Sequence, residues 1–83
     1  MTSETLNDPV VVGAIFGHGA KVSPAWFVFG GRKVKVSGVN HVWIERQGLA
    51  TLHHFSVSDG PDTFHLVMNS ETLSWHIEGI SLP

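Results

Sequence analysis

Cysteine is absent from the 83 residues, which excludes disulfides, thiolate nucleophiles and cysteine-based zinc knuckles and leaves no mark of a redox compartment. Long apolar runs are missing too. Val10 to Phe16 reaches only seven residues with its glycine, against the roughly 20 that a helix needs to span a bilayer. Positive charge is scarce: five Lys and Arg stand against seven Asp and Glu, a formal −2. Nothing in that balance favours a phosphate backbone, so nucleic acid is unsupported as a partner. The opening MTSETLNDP is polar and acidic where a secretory signal is basic and then apolar. The expectation is a soluble, cytoplasmic protein without a membrane partner. No helix of ordinary length fits anywhere in the chain, and a domain of this size is near the lower limit for folding unaided, so a partner subunit would help.

What the sequence does have is a period of two. From Thr51 onwards apolar residues fall at alternate positions: Phe55 and Val57, then Phe64, Leu66 and Met68, then Leu73, Trp75 and Ile77. This is the spacing of half-buried strands. Asp59-Gly60-Pro61-Asp62 and Asn69-Ser70-Glu71-Thr72 separate them with turn chemistry. Read as four-residue hairpin loops, they set Ser58 against Thr63 and Met68 against Leu73. Phe55 then faces Leu66, Leu66 faces Trp75, and all these apolar residues share one face. A one-residue slip would turn a strand inside out, so this agreement argues for the pairing.

The opposite face follows. His65 lies beside Ser56 and His76, His54 lies diagonal to His65, and Glu78 lies opposite Thr63, at spacings where cross-strand side chains touch.

Earlier in the chain, residues 1–9 read as a flexible arm ended by Pro9, and residues 10–83 as a single β-barrel domain. Val10 to Phe16 is β-branched and apolar on both faces, as a covered strand is. Gly17-His18-Gly19-Ala20-Lys21 is glycine-rich but lacks a Gly-Lys-Ser/Thr ending and a third glycine. Ser23-Pro24 blocks a following helix, so a loop between strands is expected, not a phosphate cradle. Gly30-Gly31 supplies the two positive-φ positions of a type I′ turn, which sets Phe29 against Arg32. Phe27 and Val34 then share one face, and Trp26 and Val28 share the other with Lys33 and Lys35. Trp26 and Val28 need cover from the first strand, from lysine stems or from another subunit.

Ser37-Gly38 marks a bend, after which the strand resumes over Val39 to Arg46. A turn at Gln47 to Ala50 pairs Val42 with Phe55, His41 with Ser56 and Trp43 with His54. The fold class expected is all-β: a five- to six-stranded antiparallel meander closing into an SH3-like or half-open barrel.

The run from Gly19 to Val36, with Ser23-Pro24, Ala25-Trp26-Phe27-Val28-Phe29 and Gly30-Gly31-Arg32, followed by Val39 and Trp43, resembles a family of small uncharacterised bacterial all-β domains. Their pattern is a glycine turn, a proline, Phe-x-Trp-x-Gly-Arg, an alternating strand and a later tryptophan. The similarity extends through Phe64-His65-Leu66 and Leu73-Ser74-Trp75, with Phe29 standing where that family commonly has tryptophan. The motif consists of packing and turn residues. The resemblance implies a fold and transfers no activity and no catalytic residue.

Six histidines are a heavy load for so short a chain, and His41, His54, His65 and His76 fall on one face. Strands about 4.7–4.9 Å apart allow cross-strand imidazoles to share an ion. His54, His65 and His76, with Glu78, are therefore candidate ligands for a divalent transition metal, although no cofactor is required. A solvated sheet face or a subunit contact accounts for the same histidines more simply, and closely spaced imidazoles also make a pH-dependent surface. Ser56, Ser58 and Ser74 lack a nucleophile elbow, and Asp59 and Asp62 are explained by their turn, so catalysis is not expected. Trp26, Val28, His41 and Trp43 are the candidate binding surface. The leading expectation is a non-enzymatic interaction or scaffold module, a homodimer that covers the Trp26 side. A metal or small-ligand binding domain is the alternative, and single-stranded nucleic acid on exposed tryptophans the third reading.

Overall fold

Alternating side chains broken by glycine-rich turns build seven antiparallel strands: β1 (Thr2–Phe16), β2 (Val22–Phe29), β3 (Arg32–Lys35), β4 (Gly38–Gln47), β5 (Ala50–Ser58), β6 (Thr63–Asn69) and β7 (Ser74–Leu82). The computed structural model describes the backbone of residues 2–17 and 21–82, and the side chains of residues 8–17 and 21–81. One sheet runs in the order β3-β2-β1-β7-β6-β5-β4, which leaves β3 and β4 as its edges. Of the glycine-rich loop expected at Gly17 to Lys21, residues His18, Gly19 and Ala20 lie outside the described residues.

The sheet curls because β1 serves both halves. Its first part pairs with β7, up to Val10 opposite Trp75, and its second part, from Val11 opposite Val28, pairs with β2. The curl brings Phe27 and Val34 from one end onto Phe55, Val57, Phe64, Leu66 and Ile77 from the other. Phe27 meets Phe64 edge-on with ring centres 5.0 Å apart, the arrangement favoured by aromatic quadrupoles. Val10, Val12, Val22, Phe29, Val36, Trp75 and Ile80 pack around this cluster. The result is a curled all-β half-barrel.

It has seven strands where five to six were expected. β3 and β4 are separate strands, not one bent strand, because Val36 and Ser37 leave the ladder: Val36 N–H donates to Ala25 O and Ser37 N–H to Ser58 O. The expected N-terminal arm is also different, since Thr2 to Thr5 pair with Leu82 to Gly79 as part of β1.

Most of the expected pairings hold. Phe29 faces Arg32 around Gly30 and Gly31, whose φ values of 61° and 74° suit a type I′ turn. Val42 faces Phe55 and Trp43 faces His54, with Gln47 opposite Ala50 closing the turn. Phe55 faces Leu66 and Ser58 faces Thr63. The β6–β7 hairpin departs by two positions: Met68 faces Trp75, Leu66 faces Ile77, and Leu73 sits in the turn at φ 58°. A shift of two keeps every side chain on its face. A bulge then follows, since Leu66 pairs with Ile77 and His65 with Gly79, and Glu78 is the extra residue.

Candidate functional site

The face of β5, β6 and β7 that turns away from the barrel core carries His54, His65 and His76, and it is not a bare solvated surface. His54 is 5% exposed, Val67 between His54 and His76 is 0%, and Leu52 is 6%. Trp43 of β4 lies over the group. Its indole stacks on the His54 ring at 5.0 Å and 11°, and stands 5.0 Å from the His65 ring at 40°. His41 flanks Trp43 with ring centres 5.3 Å apart.

Polar contacts run across four strands. Glu45 Oε1 on β4 is 2.9 Å from His54 Nε2, and His54 Nδ1 is 2.8 Å from His65 Nε2. Beyond them, His76 Nε2 is 2.9 Å from Glu78 Oε2, and Glu78 Oε1 lies 3.9 Å from His65 Nδ1. A carboxylate only accepts, so His54 Nε2 is the N–H that donates to Glu45. In the neutral ring this leaves the Nδ1 lone pair of His54 facing His65, and His65 Nε2–H donates to it.

Burial pushes the His65 imidazole below its ordinary value; nearby Glu78 opposes that effect, while His54 and His76 add to it. The hydrogen bond from His76 holds the Glu78 carboxyl below the usual glutamate range, with burial opposing and His65, His76 and His54 assisting.

Glu78 lies two residues beyond His76 and so shares its face of β7. Regular pairing would set Glu78 directly opposite His65; the bulge pairs His65 with Gly79 instead, and leaves Glu78 Oε2 2.9 Å from His76 Nε2 and Oε1 3.9 Å from His65 Nδ1. His54, His65 and Glu78 each present a donor atom within 4.8 Å of the other two. His76 does not stand beside His65 as expected. It pairs with Val67 and reaches the group through Glu78. Glu45 was not foreseen, although its position two residues beyond Trp43 places it on the same face of β4.

The other candidate surface divides. Trp26 lies half-buried opposite Gly13 and Lys35, with its indole lying against Gly13 and Lys33 Nζ 4.7 Å from its ring centre. Val28 is also half-buried, between Val11 and Lys33. The first strand and a lysine therefore cover Trp26 within one chain. His41 and Trp43 instead stand on β4, where every residue from Val39 to Gln47 is exposed. Val42 and Ile44, 52% and 61% exposed, point into an open cleft of about 410 Å³ that they share with Val22, His53 and Phe55. This cleft is the seam where the curled sheet stops short of closure.

Fold and site together describe a small all-β half-barrel with an open edge and a partly buried histidine–carboxylate face. No protein-family model, no curated protein and no solved structure matches the chain. None of the described residues forms a helix long and apolar enough to cross a membrane.

Proposed function

We propose that the chain is a non-enzymatic interaction module that associates with a second copy of itself through β4. The contrast between its two sheet edges carries this reading. β3 is four residues long and bears Arg32, Lys33 and Lys35, the short charged edge by which proteins block unwanted pairing. β4 is ten residues long, has neither lysine nor proline, and keeps Val42 and Ile44 exposed. A long edge of that kind is a template for another strand.

The sequence of β4 is complementary to itself. Antiparallel pairing about a two-fold axis at Trp43 keeps like faces together. It sets Val42 against the partner subunit's Ile44, and His41 against the partner subunit's Glu45. The apolar pair covers the open seam, and an opposite-charge pair forms when His41 is protonated. The dimer surface thus lies on β4, not on the Trp26 side, whose cover is internal.

Light scattering on the eluting protein across a concentration series tests the proposal. The expected mass approaches twice 9.0 kDa as concentration rises. Ile44→Lys returns it to the single-chain mass with the β circular dichroism unchanged. A wild-type chain that stays at single-chain mass throughout, or a folded Ile44→Lys variant that dimerises like wild type, overturns it.

A further inference from the structure

Beyond self-association, we propose that His54, His65 and Glu78 form a binding site for a divalent transition ion of the zinc class. Three adjacent strands each contribute one donor, and the donor atoms lie within 4.8 Å of one another. His54 Nδ1 and His65 Nε2 face each other at 2.8 Å, so something positive has to lie between their lone pairs, either a proton or a metal ion. Two nitrogens bound to one ion at 2.0–2.1 Å with tetrahedral angles are about 3.3 Å apart. The pair therefore has to open by only about 0.5 Å, which small side-chain rotations supply.

The supporting contacts are those a metal site uses. Ligating imidazoles characteristically give their second N–H to a carboxylate, which fixes the tautomer and leaves the other nitrogen free for the ion. Glu45 does this for His54 at 2.9 Å, and His76 holds Glu78 Oε2 at 2.9 Å. Glu78 Oε1 lies 3.9 Å from His65 Nδ1, beyond hydrogen-bond length, so that oxygen is not tied to the imidazole.

The donor set selects the ion. Two imidazole nitrogens and one carboxylate oxygen suit zinc and its late first-row neighbours, whereas calcium and magnesium take oxygen ligands. Three protein ligands leave a fourth position for water or an exogenous donor. Access comes from the His65 and Glu78 side, whose side chains are 30% and 36% exposed, while the His54 side chain at 6% anchors the site from beneath. Trp43, 5.0 Å from both imidazole rings, borders the site and reports on it.

Calorimetric titration of the full chain with zinc chloride at pH 7.5 is the test. One saturable site per chain is expected. His65→Gln and Glu78→Gln should each weaken it roughly 100-fold or more, and Glu45→Gln about 10- to 100-fold by freeing the His54 ring. His53→Gln, on the seam side of β5, should bind as wild type does, and so should Ile44→Lys, which separates this site from the β4 dimer. Nickel should quench Trp43 fluorescence in the wild type and not in His65→Gln. Absence of a saturable zinc heat, or folded His65→Gln and Glu78→Gln variants that bind as tightly as wild type, overturns the proposal. If those variants lose their β circular dichroism, the imidazole resonances of wild-type His54 and His65 decide: shifts on adding one equivalent of zinc uphold the site, and unmoved resonances overturn it.

Discussion

Replacing Gly13 by alanine tests whether Trp26 belongs to the inside of the molecule. A Cβ at Gly13 would stand 2.1 Å from Trp26 Cε2, 2.2 Å from Nε1 and 2.5 Å from Cζ2. Ordinary carbon contacts lie at about 3.5–4.0 Å, so the indole has to retreat by about 1.5 Å. The backbone cannot carry it away, because Trp26 is paired with Gly13 on one side and Lys35 on the other. The ring has to rotate, giving up Lys33 Nζ at 4.7 Å, a contact worth about 0.5–1 kcal/mol.

Overpacking of this kind costs about 1–3 kcal/mol. Against it stands the gain of about 0.5–1 kcal/mol when alanine replaces glycine inside a strand. The net is a loss of about 1–3 kcal/mol, or a fall in Tm on the order of 5–15 °C for a domain of this size. Removing the obstacle reverses the sign: in a Trp26→Ala background, Gly13→Ala should be neutral or stabilising by up to about 1 kcal/mol. Thermal and urea unfolding of the four proteins measures both effects. A Gly13→Ala protein with a raised Tm, or one whose shift is the same in both backgrounds, would refute the reasoning.

Stability should also fall on acidification, in two stages. Because burial holds the folded His65 below its ordinary 6.5, its contribution is complete above that pH and is lost as pH drops from 6.5 through the folded value. Glu78 is held below its ordinary 4.5 by the His76 hydrogen bond, so its contribution persists above 4.5 and disappears as pH drops through its lower folded value. Urea titrations over this range should show His65→Gln flattening the upper stage and Glu78→Gln the lower; a wild type that gains stability between neutral pH and the His65 range would count against the first, and one that loses none below 4.5 against the second. Leu73 occupies a left-handed conformation at φ 58° and is 66% exposed, so Leu73→Gly should raise stability by up to about 1 kcal/mol, read from the urea midpoint. A lower midpoint would show that the leucine side chain contributes packing that outweighs its backbone strain.

Much of the sheet was legible in the sequence because period-two alternation is a strong constraint. Alternation put Phe55, Val57, Phe64 and Leu66 on one face, the four-residue Asp59 to Asp62 turn chose among the pairings that keep them there, and Gly30-Gly31 left one reading of its hairpin. The β6–β7 hairpin escaped because Leu73 looks like a strand residue, and a shift of two positions leaves the pattern of faces unchanged. That same shift moved His76 away from His65. Alternation alone put Glu78 on the histidine face, two residues beyond His76, but the bulge at Glu78 leaves no periodic signature, since a single extra residue before Gly79 looks like the ordinary end of an alternation. The pairing of Thr2 to Thr5 with β7 was hidden for a different reason: MTSETLNDP is polar, and backbone pairing at a sheet margin needs no apolar residues. Solitary tryptophans are equally uninformative about cover. Nothing in the composition says that Gly13 is a seat for Trp26, although an isolated glycine in a strand is where a bulky neighbour can lie close to the backbone.

The unequal edges of the sheet set a limit on assembly. A strand with two adhesive margins joins others without end and grows into a ribbon, whereas this sheet has one margin suited to pairing and another, β3, that meets any copy of itself with Arg32, Lys33 and Lys35. Its valence is one. The proposed association through β4 would use up that valence in a single symmetric event, which favours a closed pair over a fibre in a chain whose described residues are mostly strand.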